Sequence, residues 1–159
     1  MMTEKAKRRW MQEGTALFDR MFMKYEVMQK KPLDLGNGVK IHSAQIHMIE
    51  AVGKGYGNTV TALSGFFMIT KGAVSQIVTK LCTEGYVRKT RKTGNDKEII
   101  LKLTEKGWKT FRRHREYDKP AVRGIQRIGK RYSEQEIRSC VVILEDIDRI
   151  FGRYTGKEG

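Results

Sequence analysis

The sequence predicts a mainly α-helical fold with one small β-hairpin, and three observations carry that prediction. Apolar residues recur at three- and four-residue steps along most of the chain, the pattern of helices buried on one face. Between Tyr86 and Leu103 the period drops to two, around the polar turn Thr93-Gly94-Asn95-Asp96, which reads as two strands joined by a tight connection. Only Pro32 and Pro120 are prolines, so few residues interrupt long helices.

The bulk properties narrow the class of partner. The 159 residues, with a formal net charge of +14 and a pI near 9.9, suffice for one domain with its own core. Charge of this size favours a polyanionic partner. No apolar run approaches the ~18 residues of a membrane span. The basic N-terminus, Met1 to Trp10, lacks the apolar stretch of a signal peptide, so a cytoplasmic protein without membrane attachment is expected. Cys82 and Cys140 form neither a CxxC pair nor a disulfide framework. Both are expected as buried small hydrophobes.

The first helix is expected from about Thr3 to Gln29, with Trp10, Leu17, Met21, Tyr25 and Met28 on one stripe. Pro32 and the cluster Asp34 to Gly38 end it in a loop. Ser43 is the expected cap of a second helix carrying Ile46, Ile49 and Val52. Gly53-Lys54-Gly55-Tyr56-Gly57 then reads as a turn. It is not a phosphate-binding loop, because that loop has GxxxxGK[ST] spacing after a strand.

Two short helices follow, joined by a tight connection: Thr59 to about Phe67, then one opened by Thr70. On the second, Val74, Ile77, Val78 and Leu81 form an apolar stripe. Lys71, Ser75, Gln76, Thr79 and Lys80 fall off it. These cationic, hydroxyl and amide groups suit phosphates and base edges, and no carboxylate stands among them until Glu84. Gly85 closes this helix. The hairpin comes directly after, so the segment reads as a winged helix-turn-helix. Arg88, Lys89, Arg91, Lys92 and Lys97 oppose the single acid Asp96 in the stretch from Arg88 to Lys97. Lysines that guard a sheet edge explain one or two of these, not the set.

Thr104-Glu105-Lys106-Gly107 opens a long helix through Trp108 and Phe111, in which Arg112, Arg113 and Arg115 read as a solvated face. Pro120 is expected to kink or break it. Ser133-Glu134-Gln135-Glu136 is a capping box for a last helix with Ile137, Val141, Leu144, Ile147 and Phe151 at helical steps. The terminal helices have no evident partner in the central module, which points to pairing of two subunits.

The segment Lys71 to Leu81, then Gly85-Tyr86-Val87, Asp96 and Leu103-Thr104-Glu105-Lys106-Gly107 resemble the MarR family of transcriptional regulators. The resemblance extends over nearly the whole chain, and its specific part runs from Ser43 to Gly107. It implies a six-helix homodimer on double-stranded DNA. Residues 1–159 would be one domain, with 43–107 the winged helix-turn-helix and 1–31 with 108–159 the dimerisation part. Thr70, Lys71, Gly72, Ser75, Gln76, Thr79 and Lys80 would face the major groove, and the hairpin tip a minor groove. The family usually has Asp-Arg-Arg or a similar run at that tip, where this chain has Asp96-Lys97-Glu98. Asp96 would brace the turn, and Lys97 would take the place of an arginine. Lacking the planar guanidinium fork, lysine reads a narrow minor groove less well. Arg91 could carry more of the phosphate contact.

The resemblance also implies a small effector, aromatic or amphiphilic, in a crevice near Tyr25, His47, Trp108 and Phe111. Core packing is the plainer reading of those four residues. No metal site is expected from His42, His47 and His114, which lack zinc-ligand spacing. No cofactor loop, paired carboxylates or nucleophile–base pattern marks an enzyme. The leading expectation is a repressor that binds an inverted repeat. The alternative is a nonspecific or architectural winged-helix binder of nucleic acid.

Overall fold

The computed structural model of the chain describes the backbone of residues 2–36, 40–92 and 95–155, and the side chains of these except at 92, 95–97 and 155. In chain order the elements are α1 (Glu4–Lys30), β1 (Leu33–Asp34), β2 (Lys40–Ile41), α2 (Ser43–Lys54), α3 (Val60–Phe67), α4 (Lys71–Thr83), β3 (Val87–Lys92), β4 (Asn95–Leu103), α5 (Glu105–Gly129) and α6 (Glu134–Thr155). The expected mainly helical winged helix-turn-helix is therefore present.

Threonines start four of the six helices. The hydroxyls of Thr3, Thr59, Thr70 and Thr104 accept the amides of Ala6, Ala62, Ala73 and Gly107 at 3.1–3.3 Å, each satisfying a donor that the first helical turn leaves free. Ser133 and Glu136 cap α6 reciprocally: the Ser133 amide donates to Glu136 Oε2 at 2.7 Å, and the Glu136 amide donates to Ser133 Oγ at 3.3 Å. The Ser133 hydroxyl, which donates to Glu136 Oε2 at 2.7 Å, and the Ser133 amide both lower the Glu136 pKa. The cap of α2 is His42, one residue before the expected Ser43, which is already helical and buried.

The core fills the space between α2, α3, α4, the hairpin and the start of α5. Ile46, Ile49, Leu63, Val74, Val78 and Leu81 are almost fully enclosed, with Val87, Leu101, Leu103 and Phe111 closing the cluster. Alternation along β4 puts Ile99, Leu101 and Leu103 on one face; Leu101 and Leu103 are buried in the core, whereas Ile99, nearer the hairpin tip, is exposed. The hairpin is antiparallel, with Val87 opposite Leu103 and Lys89 opposite Leu101, and its register shifts between Arg91 and Lys92. The Leu101 amide donates to the Asn58 carbonyl at 2.7 Å, which ties the wing to the segment before α3.

Three local expectations change. The loop after Pro32 contains a two-stranded ribbon, Leu33 opposite Ile41 and Asp34 opposite Lys40, whose strands are too short to show any period. Pro120 neither ends nor divides α5, which runs on to Gly129. Pro120 lies on the exposed outer part of that helix, where water can satisfy the carbonyl that loses its donor. Cys82 is half-buried against the core, whereas Cys140 is exposed, because among the described residues α6 covers little of its apolar stripe.

Candidate nucleic-acid interface and adjoining cleft

Successive α4 side chains are about 100° apart around the helix axis. Val74, Val78 and Leu81 therefore share one side and are buried, with Ile77 half-buried beside them. Thr70, Lys71, Gly72, Ser75, Gln76, Thr79 and Lys80 are all exposed. All seven residues that the sequence singles out for DNA contact are thus open to solvent, away from the buried stripe. The Lys80 ammonium is 3.9 Å from Glu84, a long exposed pair that leaves the lysine available to another anion. Only Thr70 Oγ1, at 3.8 Å, would meet a Cβ on Gly72. The fold does not require glycine there, but its bare backbone offers the closest approach to a ligand at the helix start.

The connection between α3 and α4 is tight. Met68 takes a left-handed conformation, φ 51°, and the amides of Met68 and Ile69 donate to Gly65 and Ser64 at 3.2 Å. A side chain in this region costs about 1–2 kcal/mol. The sequence gives no sign of the strain, since neither glycine nor asparagine marks the turn.

A knot of hydrogen bonds fixes the far end of α4 and the base of the wing. The Thr104 hydroxyl, which caps α5, also donates to the Gly85 carbonyl at 2.7 Å. Lys106 Nζ donates to the Glu84 carbonyl at 2.7 Å and lies 4.2 Å from the centre of the Tyr86 ring, a cation–π contact. Gln45 Nε2 donates to Glu84 Oε2 at 2.7 Å, joining α2 to the same corner. The motif Thr104 to Gly107 is therefore the clamp that sets the recognition helix against the hairpin. Along that hairpin Arg88, Lys89 and Arg91 are exposed. Asp96 and Lys97 lie on β4, and their side chains fall outside the described residues.

The four residues expected around an effector do not meet in one place. Tyr25 and His47 line a cleft of about 530 Å³ between α1, β1, α2 and α5, together with Glu50, His114, Tyr117 and Asp118. Burial lowers the His47 pKa, with smaller opposing effects from Glu50 and Asp118. Phe111 belongs to the core, and Trp108 lies edge-on to it at 5.4 Å, facing a groove beside Arg88 and Lys102. Sequence reasoning missed Glu50, Asp118 and Tyr117, because helical periodicity gives no indication of which polar residues from two distant helices converge.

Residues 43–107 match the winged helix DNA-binding domain family. The HTH-type transcriptional regulator YhjH of Bacillus subtilis is 28% identical over 120 residues, 76% of this chain and 69% of that protein. Among solved structures, Streptococcus pneumoniae FabT in complex with DNA aligns with a TM-score of 0.65 at 25% identity, over 93% of this chain and 99% of FabT. Lactococcus lactis ZitR, a zinc-responsive MarR family member, aligns with a TM-score of 0.66 at 17% identity, over 89% of this chain and 99% of ZitR. No described helix is long and apolar enough to cross a membrane. With this fold and these relatives, the chain is a winged-helix DNA-binding protein, similar to HTH-type transcriptional regulators in sequence and to a MarR family member in fold.

Proposed function

We propose that the protein is a cytoplasmic repressor that binds an inverted-repeat operator as a homodimer and is released by a small effector. The observation that carries this reading is the outward face of α4, where Lys71, Ser75, Gln76, Thr79 and Lys80 stand exposed without an intervening carboxylate. Phosphate contacts supply affinity, and the hydroxyl and amide groups choose the base sequence. Lys97 and Asp96 at the wing tip, with Arg91 on β3, extend the contact beyond the major groove.

Residues 1–31 and 108–159 form the dimerisation part. The chain exposes 12595 Å², whereas a compact monomer of 18.4 kDa exposes roughly 8,200 Å². The excess, roughly 4,400 Å² per chain, is more than the ~1,000–2,500 Å² that each partner buries in a typical permanent dimer, so the surface for one is ample. The cleft lined by Tyr25 and His47 suits an aromatic or amphiphilic effector. It lies between α1 and the winged helix, so occupancy would bias the spacing of the two recognition helices.

Fluorescence anisotropy at near-physiological salt tests the reading, with the duplex upstream of the protein's own gene and a scrambled duplex of equal length. A preference of about a thousandfold or more is expected. Tight but equal binding to both would instead indicate an architectural binder.

A further inference from the structure

The cleft between α2 and α5 ends in a group of side chains that the DNA-binding surface does not use. His114, from α5, is only 4% exposed. Its Nδ1 is shut off from solvent and makes no hydrogen bond among the described residues. Leaving such a nitrogen unpartnered is costly. Two carboxylates flank it: Glu50 Oε1 from α2 at 3.5 Å and Asp118 Oδ2, one helical turn along α5, at 3.3 Å. The three donor atoms lie within 4.8 Å of one another.

A tetrahedral ion with nitrogen and oxygen ligands at about 2.0–2.2 Å holds those ligand atoms roughly 3.3–3.6 Å apart. Both separations from His114 Nδ1 fall in that range. We infer that Glu50, His114 and Asp118 form a binding site for a first-row divalent transition-metal ion of the zinc type. The imidazole selects this class over calcium or magnesium, which take oxygen ligands. Two carboxylates and a neutral imidazole supply two negative charges, matching the ion. Glu50 Oε1 is also 3.1 Å from Lys54 Nζ, whose side chain is 39% exposed. Metal would displace that pair at little cost. His47 lines the same cleft, with its ring 6.2 Å from that of His114, centre to centre.

The ion would tie α2 of the winged helix to α5, and so couple metal to the recognition helices. That consequence rests on the operator-binding reading, whereas occupancy of the site does not. The test is therefore made without DNA. Tag-free, chelator-stripped protein is titrated with Zn²⁺ by calorimetry and with Co²⁺ by visible absorption. One ion per chain is expected, with the intense d–d absorption of low-symmetry cobalt. His114→Ala and Asp118→Asn should each weaken binding by more than the ~10–100-fold that follows loss of an outer-shell partner. Cys140→Ser, on the distant α6, should leave it unchanged. Because His114 is buried, its variant must first show a wild-type circular dichroism spectrum. The half-exposed Asp118 decides the matter if it does not. Absence of saturable binding, or affinity unchanged in Asp118→Asn, would overturn the site.

Discussion

Gly107 stands at the third position of α5, directly against the carbonyl of Tyr86. A Cβ built there collides with that oxygen and crowds Leu103. The contact is backbone on backbone, so no side-chain rotation relieves it. Gly107→Ala must open the corner at which α4, the hairpin and α5 meet. We expect a loss of about 2–4 kcal/mol, at the upper end for a point substitution, measured by urea unfolding. Wild-type stability would mean that the corner is looser than its geometry implies. His47 gives the residue scale a pH dependence. Its folded pKa lies below the ordinary 6.5 because burial penalises the imidazolium. The unfolded chain then binds the proton more readily, so this stabilisation is complete above about pH 6.5 and fades as pH falls through the folded pKa. In chelator, His47→Gln should lose less stability than wild type on acidification from pH 7 to 5. Parallel pH profiles would show that His47 does not contribute.

At the scale of elements, legibility followed the kind of signal each element carries. The recognition helix was plain in the sequence because Val74, Val78 and Leu81 must be buried while Lys71, Gln76 and Lys80 must not, and one helix satisfies both demands. The threonine caps were equally plain, since a hydroxyl and a free amide meet within three residues. The ribbon β1–β2 was invisible because two residues per strand carry no period. The Glu50–His114–Asp118 group was invisible for another reason: Glu50 reaches the α5 pair only through tertiary packing. The hairpin lies between these cases, with its period legible and its purpose resting on charge. Arg91 is exposed on β3, opposite Ile99. If it meets a phosphate, Arg91→Ala should weaken operator and scrambled duplexes alike and lower the slope of log K against log salt by about 1. An unaltered slope in a folded variant would remove Arg91 from the interface.

On the scale of the whole molecule, the terminal helices keep two long apolar stripes in water. Ile137, Val141, Leu144 and Phe151 repeat along α6, each 43–51% exposed. Trp10, Leu17, Met21 and Met28 do the same along α1, at 47–69%. The stacking of Phe18 on Phe151, ring centres 5.7 Å apart, brings the two terminal helices together and covers little of either stripe. The core of the winged helix, by contrast, is closed without them, since no residue of α1 or α6 belongs to it. The proposed assembly through the terminal helices is therefore separable from folding of the winged helix. A charge in the middle of the α6 stripe tests this directly. Leu144→Glu should turn a dimer into a monomer in analytical ultracentrifugation, because an unpaired carboxylate cannot be buried cheaply in an apolar interface. The winged helix should keep its helical circular dichroism. Operator affinity should fall towards that of a single half-site, while binding to scrambled DNA changes much less, because only specific docking needs two recognition helices at fixed spacing. A variant that remains dimeric would place the interface elsewhere. One that becomes monomeric yet binds the operator with undiminished affinity would break the link between dimerisation and sequence choice.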